Sequence, residues 1–169
     1  MIKTIGLVMI VTSCSMLGFT MQQEMEKRRR MLRDHIAALE LMRTEICFKN
    51  TPMDDNLALL SKHCQKETAR FYQCAFENAV SGLAFSTAAE QQYDMLKKDG
   101  LTDEDIEGIR IACRVLGQYD CIAQEEQLAV AVEHLKRLLD VLEKEVSSKG
   151  RIYKTAGATV GIVLALMVI

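Results

Sequence analysis

Histidines and cysteines are the residues of this 169-residue sequence best suited to carry chemistry, through metal binding or thiol reactions. The three histidines, His35, His63 and His134, fall on three different predicted helices. None lies at metal-ligand spacing from another histidine or from a pair of cysteines. His63 and Cys64 are adjacent, so their side chains point to different sides of a helix. The histidine pattern therefore predicts no metal site.

The six cysteines are scattered and form no Cys-x-x-Cys pair, unlike those of a small disulfide-rich secreted domain. Four fall on apolar helix faces, where we expect reduced, buried thiols: Cys47, Cys64, Cys74 and Cys113. A membrane-bound adaptor that responds to redox state through a cysteine remains an alternative. Val11-Thr12-Ser13-Cys14 also resembles a lipoprotein processing site, so an exported protein lipidated at Cys14 is a second alternative. The apolar run continues past Cys14, which favours a membrane span instead.

Patterns typical of enzymes are not visible in the sequence. There is no Gly-rich phosphate loop and no Gly-x-Ser-x-Gly elbow, and the acids are spaced as on a solvated helix face. A formal net charge of -2 gives no basic field of the kind that binds nucleic acid. The sequence predicts a protein that is not an enzyme, with no catalytic residue, no cofactor, no metal and no nucleic-acid partner.

One acidic run stands at the predicted start of a helix, where Thr102 is followed by Asp103, Glu104 and Asp105. Acids in the first turn complement the positive end of the helix dipole. Because we expect a loop followed by acids to be exposed, these three carboxylates are also the leading candidates for docking a basic partner surface.

The two ends of the chain are uncharged and apolar, over residues 4–21 and 155–169. As a helix rising 1.5 Å per residue, the first run is roughly 27 Å long and nearly crosses a hydrocarbon core. We expect transmembrane helices over residues 1–21 and 152–169. Gly157 and Gly161 form a Gly-x-x-x-Gly pair that permits close packing of another membrane helix, either the first span or a neighbouring subunit.

Basic residues flank both predicted spans on their inner sides. By the positive-inside rule, the intervening residues 22–151 are expected to be cytoplasmic. We interpret the flanking residues as topology anchors that contact anionic lipid headgroups. They are Lys27, Arg28, Arg29, Arg30, Arg151 and Lys154.

The intervening region is predicted to be an all-α bundle of about six helices, because helix-forming residues dominate, proline occurs once and tryptophan is absent. The first predicted helix continues from the N-terminal span, with an apolar stripe from Leu32 to Ile46. A fourth helix is predicted from Ser86 or Thr87 to Gly100, with Thr87 and Glu90 as a capping box.

The last predicted helix has the most regular apolar pattern, with spacings that alternate between four and three residues. The residues of this seam are Leu128, Val132, Leu135, Leu139, Leu142 and Val146. Such a seam requires a helical partner. We expect that partner to be the first long helix of the same domain, with pairing between chains as the alternative.

The order of features along the chain resembles that of the stage III sporulation protein AB family of spore-forming Firmicutes. The features, in order, are Gly18-Phe19 in the first span, the Leu39 to Ile46 helix with Glu45, Thr51-Pro52-Met53, Leu116-Gly117 followed by Asp120 and Gln124 or Gln127, and Tyr153 before the Gly157/Gly161 span.

This resemblance implies a bundle similar to the cytoplasmic domain of the F-type platform protein of type II secretion. It further implies a scaffold subunit of the secretion-like channel complex that links mother cell and forespore, located in the mother-cell membrane around the forespore. The implied partners are the secretion-ATPase-like stage III sporulation protein AA and other membrane subunits of the complex. Whether the chain forms a homo-oligomer stays open.

Overall fold

The fold was examined in a computed structural model, which describes the backbone of residues 2–49, 53–116 and 121–168. It describes the side chains of Met9, Ser13 and Met16 and of residues 19–45, 55–116 and 123–148. Within those residues the fold consists of helices without strands, as predicted. The helices are α1 (Ile2–Lys49), α2 (Met53–His63), α3 (Lys66–Val80), α4 (Phe85–Glu90), α5 (Tyr93–Asp99), α6 (Asp103–Val115) and α7 (Cys121–Val168).

The chain divides into two compact units. One unit, residues 28–140, is the helical bundle, in which α3 packs against α2, α4 and α5, and α6 packs against α4 and α5. The other unit comprises residues 1–27 and 141–169. In that second unit Leu142 and Val146, the last two residues of the predicted seam, are buried.

The apolar stripes predicted on the first and last helices form much of the bundle core. Leu32 and Leu39 of α1 are fully buried, as are Leu128 and Leu135 of α7. Leu139 is only half-buried. The seam of α7 is therefore covered within one chain, which confirms the prediction of packing inside the domain.

Ion pairs connect the polar margins of α1 and α7. The Nζ atom of Lys136 lies 2.6 Å from Oε1 of Glu40, and Nη2 of Arg43 lies 2.9 Å from Oε1 of Glu125. All four side chains are at least a third exposed, so each pair contributes little to the free energy of folding. Their placement nevertheless identifies α1 as the neighbour of α7.

Helices α6 and α7 approach closely at Gly108. A Cβ atom added at Gly108 would lie 2.5 Å from Cδ2 of Leu135, a separation that real side chains do not reach. Since Leu135 is fully buried, its side chain has little room to move. The missing side chain at Gly108 therefore permits the contact that covers this part of the α7 seam.

An aromatic cluster fills the space between α1, α3 and α5. The ring centroids of Phe71 and Tyr72 are 5.0 Å apart, and that of Tyr93 lies 6.0 Å from that of Phe71. The imidazole of His35 completes the cluster, edge-on to both α3 rings at 5.7–5.8 Å. These separations lie in the favourable range for aromatic pairs.

The predicted fourth helix is two helices, and its predicted cap is wrong. Helix α4 begins at Phe85 after Ala84, which provides no side-chain cap, and Thr87 lies inside the helix. The chain turns at Gln91 and Gln92 before α5 begins. No glycine or proline marks this turn. The apolar residues buried on either side of it are Phe85, Ala88, Ala89, Tyr93 and Leu96.

The predicted end of this region at Gly100 is confirmed. Gly100 adopts a left-handed φ of 111°, and its N–H donates to the carbonyl oxygens of Leu96 and Lys97. A side chain at this φ would be strained, which explains the choice of glycine. The N-cap of α6, Thr102, follows two residues later, so this turn determines where the predicted acidic run lies.

In the part of the chain whose residues are described, no helix has a segment both long enough and apolar enough to cross a membrane. The predicted C-terminal span, with Gly157, Gly161, Arg151 and Lys154, lies outside the described side chains. So do Cys14 and most of the N-terminal span. The two predicted spans remain predictions.

Candidate docking site at the start of helix α6

Thr102 and Asp105 cap the start of α6 reciprocally. The N–H of Asp105 donates to Oγ1 of Thr102 at 3.4 Å, and the N–H of Thr102 donates to Oδ2 of Asp105 at 3.0 Å. The Thr102 hydroxyl also donates to Oδ2 of Asp105 at 2.9 Å. This is a capping box with aspartate in place of the usual glutamate. It confirms that a helix begins after Thr102.

Arg28 of α1 reaches the same carboxylate across 77 residues of sequence. Its Nε donates to Oδ2 of Asp105 at 2.7 Å, and its Nη2 donates to Oδ1 of Asp105 at 3.0 Å and to Oγ1 of Thr102 at 3.1 Å. The Asp105 side chain has no exposed surface, and that of Arg28 is 22% exposed. The start of α6 is thus fastened to α1 by a bidentate ion pair.

The environment of Asp105 keeps its carboxylate ionised although it is buried. Burial by itself raises the pKa of Asp105, but hydrogen bonds from Arg28 and Thr102 outweigh it and lower the pKa below the usual value. The negative charge of Asp105 is therefore neutralised inside the protein and is not offered to solvent.

The other two acids of the predicted run do face solvent. The Asp103 side chain is 84% exposed and lies 2.5 Å from Nζ of Lys97, which is itself 51% exposed. This partner raises the pKa of Lys97. Glu104 is also exposed. The acidic surface, defined here as Asp103 and Glu104, is what the start of α6 offers to a partner.

The structure corrects one premise of the docking prediction. The three acids were expected to be exposed together, but Asp105 points inward to Arg28 while Asp103 and Glu104 point outward. Successive residues are rotated by about 100° around a helix, so the residues of one turn can point both into the bundle and towards solvent. Docking of a partner by Asp103 and Glu104 stays a prediction, and Asp105 belongs to the interior.

The predicted topology anchors do not form one exposed group. Lys27 and Arg30 are exposed, whereas Arg28 and Arg29 are half-buried. The Nε atom of Arg29 is fully buried. At least one residue of the run, Arg28, has its guanidinium directed at the bundle and not at a lipid headgroup.

Besides Asp105, a second buried polar side chain is that of His35, which lies on α1. Its side chain is fully buried, and its Nδ1 atom lies 3.4 Å from the Tyr72 hydroxyl. Burial lowers the pKa of His35 to about 4, and the negative charge of Asp105 only partly opposes this effect. His35 is neutral in the folded protein at neutral pH.

This histidine predicts a loss of stability on mild acidification. In the unfolded chain His35 takes up a proton near its ordinary pKa of 6.5, while in the folded chain it does so only near 4. The unfolded state therefore binds more protons between these values, and stability falls as the pH falls. From pH 7 to pH 5 the loss should be about 2 kcal/mol.

The measurement is urea unfolding of the full chain in detergent at pH 7 and pH 5. His35→Gln should remove most of the pH dependence, whereas the control His63→Gln, at an exposed position, should retain it. If the unfolding free energy of His35→Gln depends on pH as strongly as that of the unsubstituted chain, another group causes the loss of stability.

Two of the described thiols, those of Cys113 and Cys64, are poor nucleophiles. Burial raises the pKa of Cys113 to about 12 against a weaker opposing hydrogen bond with Tyr93, and burial together with Asp34 raises the pKa of Cys64 to about 11. Because the thiolate is the reactive form, the redox-adaptor alternative is not favoured at these two positions. Among the described residues no group of histidines, cysteines and acids could hold a metal ion.

Comparison with known proteins concerns the whole chain. The sequence model of a family described as stage III sporulation protein AB matches residues 3–169. The chain belongs to the stage III sporulation protein AB family. A curated relative, the stage III sporulation protein AB of Bacillus subtilis (strain 168), is 23% identical over 172 residues, covering 99% of each chain. No solved structure matches the chain. The resemblance drawn from the order of features is confirmed.

In this stage III sporulation protein AB family member, the role of Arg28 was the main feature that sequence reasoning missed. One local signal was available, because Thr102-x-x-Asp105 has the spacing of a capping box, and that spacing directs the third acid back towards the helix start. This spacing could have shown that the Asp105 side chain has a different role from those of Asp103 and Glu104. Nothing in the spacing identifies Arg28 as its partner.

Proposed function

We propose that this chain is a non-enzymatic scaffold subunit of a secretion-like channel complex between mother cell and forespore, required for sporulation. The observation that carries the proposal is the family match over residues 3–169, which includes the bundle and both apolar ends. The scaffold role follows from what the family resemblance implies, a bundle similar to the cytoplasmic domain of the F-type platform protein of type II secretion.

The proposed location is the mother-cell membrane around the forespore, with the bundle on the cytoplasmic side. Two observations support membrane attachment through both ends. Helix α1 contains both the apolar run 4–21 and the buried stripe at Leu32 and Leu39. Helix α7 contains both the buried seam and most of the apolar run 155–169. Each proposed span therefore belongs to a helix that also forms the bundle core.

The proposed partner is a cytoplasmic ATPase of the secretion type, the stage III sporulation protein AA. The acidic surface of Asp103 and Glu104 is the proposed contact, since both carboxylates are exposed and lie next to each other on a helix start that is fixed by Arg28. Exposed carboxylates attract a partner of the opposite charge, and such a partner would replace Lys97, which pairs with Asp103 in the structure. The proposed surface of the ATPase is accordingly basic.

Charge reversal at the acidic surface tests this proposal. Asp103→Lys with Glu104→Lys should abolish sporulation and co-purification of the ATPase, while the protein stays folded and is recovered in the membrane fraction. Exposed charges of this kind contribute about 0.3–1 kcal/mol each to the helix start, so unfolding is not expected. Sporulation frequency, affinity purification of the tagged full chain and circular dichroism are the measurements.

The matched control is Asp55→Lys with Glu67→Lys. Both acids are exposed in the first turns of other helices, and their replacement causes the same change of net charge. Normal sporulation at normal protein level in the Asp103/Glu104 variant would remove this surface from the proposal. Loss of sporulation with the ATPase still bound would indicate a different partner at the same surface.

A further inference from the structure

Arg28, in the basic run from Lys27 to Arg30, makes a contact of fixed geometry with the start of α6. Lys27 and Arg30 are exposed, as topology anchors should be. Arg28 donates two hydrogen bonds to Asp105 and one to Thr102, both at the start of α6. A residue whose only task is to mark the cytoplasmic side of a span needs a positive charge but no partner of fixed geometry.

The geometry of this contact requires arginine. The planar guanidinium presents Nε and Nη2 side by side, which matches the two oxygens of one carboxylate. A lysine has the same charge but a single donor atom and cannot make both bonds at once. The Asp105 carboxylate is fully buried, so water cannot replace a bond that is lost.

The contact with Arg28 lies at the first turn of α6. Further along the helix, Ile109 and Ala112 are fully buried, and Gly108 lies against Leu135 of α7. These contacts hold the middle and end of α6 without Arg28. The first turn has its own capping box, but the box involves only residues of the helix start itself and does not connect it to another helix.

We propose that Arg28 is a positioning residue that fixes the first turn of α6 against α1, and thereby fixes the orientation in which Asp103 and Glu104 meet their partner. The inference rests on the proposed function for its partner, a basic surface of the ATPase. Arg28, which the sequence predicts to be a topology anchor, thereby has a second role. It holds the acidic surface of Asp103 and Glu104 in one orientation.

The test compares Arg28→Lys with Arg30→Lys in the full chain. Both variants keep the positive charge, and therefore the topology signal, but only the first loses the bidentate contact. Amide hydrogen exchange of the purified protein in detergent is the first measurement. In Arg28→Lys, exchange at the hydrogen-bonded amides of residues 102–106, which are those of Thr102, Asp105 and Ile106, should rise about tenfold, as expected when loss of a charge-assisted hydrogen bond makes the helix start open more often. Exchange at residues 128–135 of α7 should not change, which shows that the variant is folded.

Co-purification of the ATPase is the second measurement. Arg28→Lys should reduce the ATPase recovered per molecule of membrane protein several-fold, and Arg30→Lys should not. An effect on binding without unfolding of α7 distinguishes positioning from a general role in stability.

Three results would overturn the inference. If exchange at residues 102–106 is the same in both variants, Arg28 does not fix the helix start, whatever the ATPase does. If exchange rises but the ATPase is fully retained, the contact does not position a docking surface. If reversal of Asp103 and Glu104 also leaves the ATPase bound, the acidic surface itself is wrong, and Arg28 serves the bundle alone.

Discussion

Replacing Leu135 by aspartate should unfold or aggregate the protein. Leu135 has no exposed surface, and it packs against α6 where Gly108 allows close approach. The substitution removes a large apolar side chain, which costs about 2–5 kcal/mol, and adds a carboxylate that has no partner in the core, at a further cost of several kcal/mol. The sum is comparable to the roughly 5–15 kcal/mol by which a typical domain is stable.

The matched control for Leu135→Asp is Val130→Asp on the same helix. Val130 is 63% exposed, so its carboxylate stays in water and the helix loses little stability. Thermal unfolding followed by circular dichroism of the full chain in detergent distinguishes the two. A cooperative transition at the same temperature in Leu135→Asp as in the unsubstituted chain would mean that α7 does not pack as described.

The second large effect is expected from Asp105→Ala. The substitution removes the carboxylate that pairs with Arg28 and that completes the capping box with Thr102. Breaking a buried pair costs about 3–5 kcal/mol, because the partner charge is left uncompensated. Arg28 is 22% exposed and can recover some hydration, so we expect a loss near the lower end of this range, about 3 kcal/mol.

Asp103→Ala controls for the loss of an acid from the same helical turn. Its side chain is 84% exposed and pairs with the exposed Lys97, so the expected cost is about 0.3–1 kcal/mol. Urea unfolding at pH 7 gives both values. Equal losses in the two variants would show that the Arg28–Asp105 contact contributes no more than a surface charge.

The pH dependence of the Asp105 contribution separates it from that of His35. Because the folded-state pKa of Asp105 is lowered, its contribution is fully present above the usual pKa of an aspartate and is lost as the pH falls through the lowered value. The contribution of His35 changes at higher pH, between 6.5 and about 4. Between pH 7 and pH 5, Asp105→Ala should therefore leave the dependence of the unfolding free energy on pH unchanged. His35→Gln should reduce that dependence.

The features predicted well from sequence are those with a local physical cause. The helix end at Gly100 follows from the left-handed φ that glycine adopts without strain, and the helix start at Thr102 follows from side-chain capping. The burial of Leu128 and Leu135 follows from a helical period that puts them on one face. Helix class, several boundaries and the seam could accordingly be predicted.

The break between α4 and α5 had no such local cause. Gln91 and Gln92 are compatible with a continuous helix, and Thr87 with Glu90 imitates a helix start. Burial does not explain the turn either, because Phe85, Tyr93 and Leu96 have the spacing that one straight helix would also place on a single face. The turn is therefore a feature for which neither the capping residues nor the apolar spacing gives a signal.

In the candidate site, too, the features with a local cause could be predicted and those that depend on distant residues could not. Local interactions place Asp103, Glu104 and Asp105 in the first turn of a helix after Thr102, since capping and the helix dipole act over only a few residues. The burial of Asp105 and the exposure of Asp103 and Glu104 depend on contacts between residues that are distant in sequence. That outcome depends on Arg28, which is 77 residues away from Asp105 in sequence and lies beside it in the folded bundle. An isolated sequence carries the charge of each residue, but which charges are neutralised inside the protein depends on which helices become neighbours.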